Sequence, residues 1–445
     1  MNKLRRVGLE LHGPTNSCSG IVFPSLEVLE FRNLQGLEEW STSCGDNVGI
    51  FPCLHEISIV NCPKLDVVEI ELIPSLRVLH VEQCSVVVLR KLKYVWESEE
   101  ACKNLMRLQN LVVRGCVNLV SLGEKEVHLK ISMESVREVQ IEGCPILESY
   151  NRPNTIEKLE MFHCPSLTSL TFSTMCSLPY TLMKLQILAC DNLQVSWLPK
   201  NFLLSLESLA IARIPNLRLF PEGCLVHLTT LKIHGCDNIE SIPDNGYGFL
   251  PFLCLRDLEI SNCKNIKSFP RDHLGSLTSL EEMCLYDCPR LDYSFPCGLW
   301  PPNLSRLRLG GLKKPISEWG LQNFPTSLVQ LSLQNSGLVS FAKAEDMSYS
   351  SDNAASSFLL PSSLSYLSII GFTELESLSK GLQHLSCLEH LFISLCPKVR
   401  DLPETLLPSL LSLWVSSSTE LGKKCSSKKG KYWPIISKIP DLQLD

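Results

Sequence analysis

Much of what catalysis requires is missing from this 445-residue chain. No Gly-x-x-x-x-Gly-Lys-[Ser/Thr] loop occurs, so the phosphate cradle of P-loop nucleotidases is absent. There is no His-Glu-x-x-His, no Gly-x-Ser-x-Gly and no Cys-x-x-Cys, and the 10 histidines are scattered without a nucleophile beside a base. His384-x-x-Cys387-x-x-His390 comes nearest to a metal spacing, but it offers only three ligands and interleaves with Leu382, Leu385, Leu388 and Leu391. The expectation is a chain that is not an enzyme and holds no cofactor or metal. Excess charge is lacking too: a net charge of -6 gives no field that would draw nucleic acid or anionic lipid. No run of eighteen or more apolar residues appears, which argues against a membrane span, and no long apolar stretch follows the basic Met1–Val7 opening, which argues against a secretory leader.

What the chain has instead is repetition. The frame Leu54-x-x-Ile57-x-Ile59-x-x-Cys62-Pro-x-Leu65 returns with leading residues Leu108, Val136, Ile156, Leu182, Leu228, Leu255, Leu280 and Leu388. A cysteine always stands eight positions later, from Cys116 to Cys396, and looser copies begin at Leu26, Leu76, Leu206, Leu304, Leu328, Leu364 and Leu410. Copies are spaced by roughly 25 residues, within the range of leucine-rich repeats. In each copy x-Leu-x-Leu-x alternates with period two, the mark of a half-buried strand. Leu231 and Ile233 therefore point inward, and Thr230, Lys232 and His234 outward. One copy cannot stand alone. Each buried Leu or Ile contributes about 1.5–3 kcal/mol, whereas ordering a residue's backbone costs about 1–2 kcal/mol. The expected fold is an α/β solenoid, a leucine-rich-repeat arc with a parallel β-sheet on its concave face.

The 21 cysteines fit the same plan. Ten of them, Cys62 to Cys396, take one repeat position and should form a ladder of reduced, structural thiols donating weakly to backbone carbonyls. An odd total without an export signal is poor evidence for a disulfide framework and implies a reducing compartment.

Prolines follow the rungs at Pro243, Pro270, Pro296 and Pro403, and precede the strands at Pro24, Pro52, Pro74, Pro302, Pro325, Pro361 and Pro408. Proline lacks an amide donor and biases its predecessor to extended geometry. The convex side should therefore be mostly non-helical, built of extended segments, turns and short helical pieces. An insertion near 85–107 suits an amphipathic helix or a bulged loop, and the small polar stretch near 342–358 a mobile surface loop. The array should span 1–418 as about 16–17 irregular repeats, with 419–445 as a C-terminal cap or tail.

Outward strand positions carry whatever specificity there is. Glu138, Gln140, Glu142 and Glu160 read as an acidic cluster, and Arg306 and Arg308 as a basic spot. Tyr366, Ile370, His390, Phe392 and Trp414 are large groups on a face expected to be exposed, and side by side they would form a contact site. Two readings stay open for them: a partner site, or a face covered by the C-terminal segment folding back.

The closing residues Cys425, Gly430, Trp433, Pro434, Ile436, Ile439 and Pro440 resemble the end of plant intracellular immune receptors of the coiled-coil, nucleotide-binding, leucine-rich-repeat type. The Cys-Pro-x-Leu repeats are similar to the same family across nearly all the chain. Tyr432 and Lys438 depart from that pattern, where an acidic residue and His are common. The resemblance implies a C-terminal repeat portion that senses pathogen effectors or guarded host proteins and, in a full receptor, restrains a nucleotide-binding switch. ATP or ADP would enter only with a nucleotide-binding domain supplied upstream. The implied partners are proteins, and the implied compartment is the cytoplasm, with the nucleus as a second. Alternatives are an extracellular receptor ectodomain and the substrate-reading scaffold of a ubiquitin ligase. The first predicts oxidised cysteines and many glycosylation sequons, where only Asn303-Leu-Ser305 occurs; the second needs an adaptor-binding module that the sequence does not show.

Overall fold

The computed structural model describes residues 4–7, 23–41, 51–65, 67–69, 73, 75–84, 107–122, 135–152, 155–172, 181–194, 205–218, 225–241, 253–267, 274–291, 300–311, 324–334, 341, 360–426 and 429–444. The insertion, apart from Arg107, the stretch 342–358, and Pro74, Pro243, Pro270 and Pro296 lie outside the described residues. The chain forms two compact units, Met1–Leu217 and Arg218–Asp445.

Each unit is a parallel-strand solenoid with little helix, and its coils follow from the repeat frame. In the first unit the strands Val28–Arg32, Glu56–Val60, Val78–Glu82, Asn110–Arg114, Glu138–Glu142, Lys158–Phe162, Lys184–Leu188 and Ser208–Ala212 pair in that order, all parallel. The second unit orders Thr230–His234, Asp257–Ser261, Glu282–Tyr286, Arg306–Gly310, Gln330–Gln334, Tyr366–Ile370, His390–Ser394, Ser412–Ser416 and Asp441–Leu444 likewise. Register is unslipped throughout, Leu159 beside Leu185 and Leu258 beside Met283. A shift by one residue would turn every inward Leu to solvent. The second and fourth residues of these strands make the core, and Ile141, Leu185 and Leu258 are all buried.

Three devices recur along the coils. The first is the turn before the leading apolar residue, where the Leu54 amide donates to the Phe51 carbonyl and the Leu304 amide to the Pro301 carbonyl. Pro52 and Pro302 sit at the second turn position, where a φ near -65° is required anyway. A hydroxyl reinforces this corner. Ser75 Oγ donates to the Leu54 carbonyl at 2.7 Å, and Thr155, Thr181, Ser205, Ser327 and Ser363 repeat the bond in their own coils.

The second device is a left-handed residue just after the strand. It is Asn61 (φ 52), Gly115 (φ 61), Gly143 (φ 64), Ala189 (φ 54), Asn262 (φ 55) and Leu395 (φ 55), among others. Glycine adopts this geometry freely and asparagine tolerates it, whereas Ala189 and Leu395 bear a cost of about 1–2 kcal/mol each. The conformation aims the amide at the next coil: Asn61 N–H reaches the Glu82 carbonyl at 2.9 Å and Ala189 N–H the Ala212 carbonyl at 2.8 Å. Asn61, Ala189 and most of the other left-handed residues thus lengthen the ladder by one bond, which offsets part of their strain.

The third device is the sulfur rung. Cys62, Cys84, Cys116, Cys144, Cys164, Cys190, Cys236, Cys263, Cys288 and Cys396 are all buried free thiols. Each thiol donates to the carbonyl two residues back, from 3.2 Å for Cys84 to Glu82 up to 3.7 Å for Cys190 to Leu188. Burial pushes the Cys116 thiol up to about 11, so that thiol stays protonated at neutral pH.

Among the described residues the return side is mostly non-helical. In the first unit it gathers into two short parallel sheets, Arg6–Val7, Glu39–Ser41 and Val67–Glu69, and Ser121–Leu122, Ser149–Arg152 and Ser169–Phe172. In the second unit a one-turn helix, Ser379–Leu382, occupies that side of one coil. Asp401 from the following coil holds its start, accepting the Leu378 amide and the Ser377 hydroxyl at 2.9 Å each, and the Ser379 hydroxyl as well.

This contact carries a pH dependence. Burial raises the Asp401 carboxyl, but the hydrogen bonds from Ser379, Leu378 and Ser377 outweigh it and leave the group below the ordinary aspartate value. A carboxyl depressed in the folded state stabilises the fold above its unfolded value, near 4, and that gain vanishes as pH falls through the folded value. Asp401→Asn should lower stability by about 1 kcal/mol at pH 7. The gap from wild type should shrink below pH 4, which urea titrations at pH 7 and pH 3 would read.

The last coil ends in a cap. Ser418 stands where the sulfur rung would fall, accepting the Cys396 amide at 3.1 Å and donating to the Ser416 carbonyl at 3.0 Å. The helices Thr419–Cys425 and Trp433–Ile436 bury Leu421, Cys425 and Ile436 against that end. Tyr432 is buried between them, and its hydroxyl accepts the Leu402 amide at 3.1 Å. Asp441–Leu444 then adds a final parallel strand beside Ser412–Ser416.

Candidate functional face

The outward first, third and fifth residues of the strands form columns running across each sheet. In the first unit, unslipped register places Lys158 next to Glu138, and Glu160 between Gln140 and Gln186. The acidic cluster expected from Glu138, Glu142 and Glu160 is therefore corrected to a ladder of mixed charge. Lys158 Nζ lies 3.9 Å from Glu138 and 3.3 Å from Glu160, and Lys184 Nζ 3.0 Å from Glu160. Arg114 Nε lies 3.4 Å from Glu142, and its Nη2 donates to Gln140 at 3.0 Å. Apart from Lys158 with Glu160, which share a strand, the sequence hides these pairings because the partners are 20 to 28 residues apart and meet only when coils stack. With its carboxylate held from both sides, Glu160 is buried, and this stretch offers no free anionic field.

In the second unit the charges separate differently. Lys232 Nζ holds Asp257 at 2.9 Å and Glu259 at 3.5 Å, and Asp257 raises the lysine's affinity for its proton. Arg306 is paired with Glu282. Arg308, two residues along the same strand, is exposed and has no ion-pair partner among the described residues. Cys284 beside it is half-buried, while Cys288, four residues on, belongs to the sulfur ladder.

Further along the sheet the groups become aromatic. Tyr366 and His390 share the first column, and Phe392 and Trp414 the third. Ring centroids are 5.1 Å apart for Tyr366 and Phe392, 5.8 Å for Phe392 and Trp414, and 6.4 Å for Tyr366 and His390. Ile370 completes the group, half-buried in the fifth column. The cap does not cover this stack. Its buried side chains close the end of the core, and among its described residues Gln443 of the terminal strand comes alongside Trp414, which stays 41% exposed.

The remaining candidate dissolves. His384 Nε2 is 2.6 Å from the Leu360 carbonyl, whereas His390 lies on the sheet face against Tyr366, so the two rings do not converge on Cys387. Among the described residues no group of three or more His, Cys, Asp or Glu could hold a metal ion. Among them, too, no helix is long and apolar enough to cross a membrane.

No family model matches the chain. Over 83 residues, 19% of this chain and 6% of the relative, it is 34% identical to an Arabidopsis thaliana protein named as a candidate disease resistance protein. It is 27% identical over 150 residues to a second candidate from that plant, named as disease resistance RPP13-like protein 1, covering 30% of this chain and 14% of the relative. A leucine-rich-repeat region of a plant disease resistance protein fits this chain. The repeat region spans no more than 14% of these curated relatives' length. Among solved structures, it is similar to a leucine-rich-repeat protein of Leptospira interrogans, with 18% identity and a TM-score of 0.49 over 85% of this chain and 90% of that one. It is also similar to YopM from Yersinia enterocolitica, with 18% identity and a TM-score of 0.34 over 88% and 83%.

Proposed function

We propose that this repeat region is the recognition module of a plant intracellular immune receptor. It acts by contact and not by catalysis, binding a pathogen effector or a guarded host protein through the outward face of its strands. In a full receptor it also restrains a nucleotide-binding switch supplied by another part of the protein. The free thiols of the sulfur ladder fit a cytoplasmic setting.

The observation that carries this reading is the aromatic stack of Tyr366, Phe392 and Trp414. Folding alone would place polar residues at outward positions. Three large rings meeting there, with Trp414 open to water, have the chemistry of an interface hot spot. Aromatic side chains bring large contact area at a small entropic cost.

The test is the combined variant Tyr366→Ala, Phe392→Ala and Trp414→Ala, assayed by titration calorimetry against a panel of pathogen effectors and their host targets. A hot spot of this kind should lose at least about 2 kcal/mol, roughly a thirtyfold drop in affinity, with its circular dichroism unchanged. A folded triple variant that binds every cognate protein as tightly as wild type would remove the stack from the recognition surface.

A further inference from the structure

Between Arg308 and the aromatic stack the outward third column steps down to two serines, Ser332 and Ser368. Their neighbours on either side are long: Arg308 on one strand and Phe392 three strands further. At ~4.8 Å per strand the two are roughly 14 Å apart along the sheet. Ser332 is half-buried and Ser368 buried, so the dip in the sheet face opens over Ser332, with Tyr366 and Ile370 on the strand beside it. Its two ends differ in chemistry, one a guanidinium with no ion-pair partner among the described residues and the other the rim of an aromatic stack. Of the nearby carboxylates, Glu282 is taken by Arg306, and Glu259 lies two strands away in the grip of Lys232. Neither meets Arg308.

Resting on the recognition reading above, we propose that this dip takes an extended segment of a partner protein bearing an acidic side chain close to an aromatic or branched aliphatic one. The apolar side chain lies over Ser332, against the Tyr366 side of the aromatic stack. The carboxylate accepts paired hydrogen bonds from the Arg308 guanidinium, a geometry lysine could not supply. Charge complementarity selects the partner: in a chain of net charge -6, Arg308 is exposed and without an ion pair among the described residues, two strands from the nearest ring of the aromatic stack.

Random-peptide phage display against the full chain tests this, followed by fluorescence anisotropy with the dye-labelled winning peptide. Selected peptides should carry Asp or Glu within two residues of Phe, Tyr, Trp or Leu. Arg308→Glu should weaken binding at least tenfold, and display against that variant should recover peptides with Lys or Arg in the same place. Filling the floor with Ser332→Phe should weaken binding tenfold as well, while Arg306→Gln should change it less than threefold. Peptides without an acidic residue, no enrichment at all, or an unchanged affinity for Arg308→Glu would each overturn the proposal. If acid-free peptides win and still lose binding in the triple alanine variant, only this pairing falls and the recognition face stands. If they bind the triple variant normally, both fall.

Discussion

Truncation after Ser418 should abolish cooperative unfolding of the last coils and leave an aggregating chain. The residues lost include Leu421, Cys425, Tyr432 and Ile436, all buried against the end of the core. Each large apolar side chain among them contributes roughly 1.5–3 kcal/mol by burial. Their removal also exposes the Ser412–Ser416 edge, a parallel strand whose outer hydrogen-bonding groups would then be open to any other chain. Repeat arrays need a polar terminal unit for solubility. Point variants grade the effect without deleting the cap. Tyr432→Ala removes a fully buried ring and should cost about 3–5 kcal/mol. Tyr432→Phe keeps the packing but strands the buried Leu402 amide, for about 1–3 kcal/mol. Urea midpoints followed by tryptophan fluorescence would check the ranking. A truncated chain that stays monomeric and unfolds at the wild-type midpoint would show that these residues are a tail and not a cap.

A single methyl group should be nearly as damaging at Gly381. This glycine lies in the one-turn helix Ser379–Leu382, and a Cβ built there would stand 2.3 Å from the Phe341 Cβ and 2.9 Å from its carbonyl carbon. Neither atom is the tip of a flexible side chain. Phe341 is itself fully buried and stacks on Phe372 at 6.1 Å. Relief therefore requires the helix or a buried aromatic pair to shift, for about 3 kcal/mol or more. Gly143 is the informative comparison. Its added Cβ would meet nothing nearer than 3.6 Å, so Gly143→Ala should cost only the left-handed penalty of about 1–2 kcal/mol. Equal effects from the two substitutions, measured as midpoint shifts at constant urea slope, would show that close packing at Gly381 is not the cause.

The architecture was written plainly in the chain because period-two alternation and the recurring cysteine each report on one coil at a time. Leu231 and Ile233 face inward where the pattern puts them, and all ten rung cysteines are buried. What escaped was the chemistry between coils. Lys158 and Glu138 are no nearer in sequence than many unrelated pairs, so the neutralisation of the supposed acidic cluster needed the register. The hydroxyl corner had a signal that could have been read, a Ser or Thr directly before the leading apolar residue at Ser75, Thr155, Thr181 and Ser205. The left-handed position was legible where Gly or Asn occupies it, but Ala189 and Leu395 give no such hint. At the candidate site the aromatic residues were found by their outward phase. The serine floor beside them was not, because small residues draw no notice until their neighbours' heights are known.

The sealed sulfur ladder also works as a quality mark. In an intact array ten of the thiols are shut away, while Cys53, Cys254 and Cys387 remain in reach of solvent. A coil that peels open presents a fresh nucleophile to any passing electrophile. Oxidants would therefore brand frayed or misassembled copies and spare sound ones, coupling chemical ageing of the protein to the integrity of its stack.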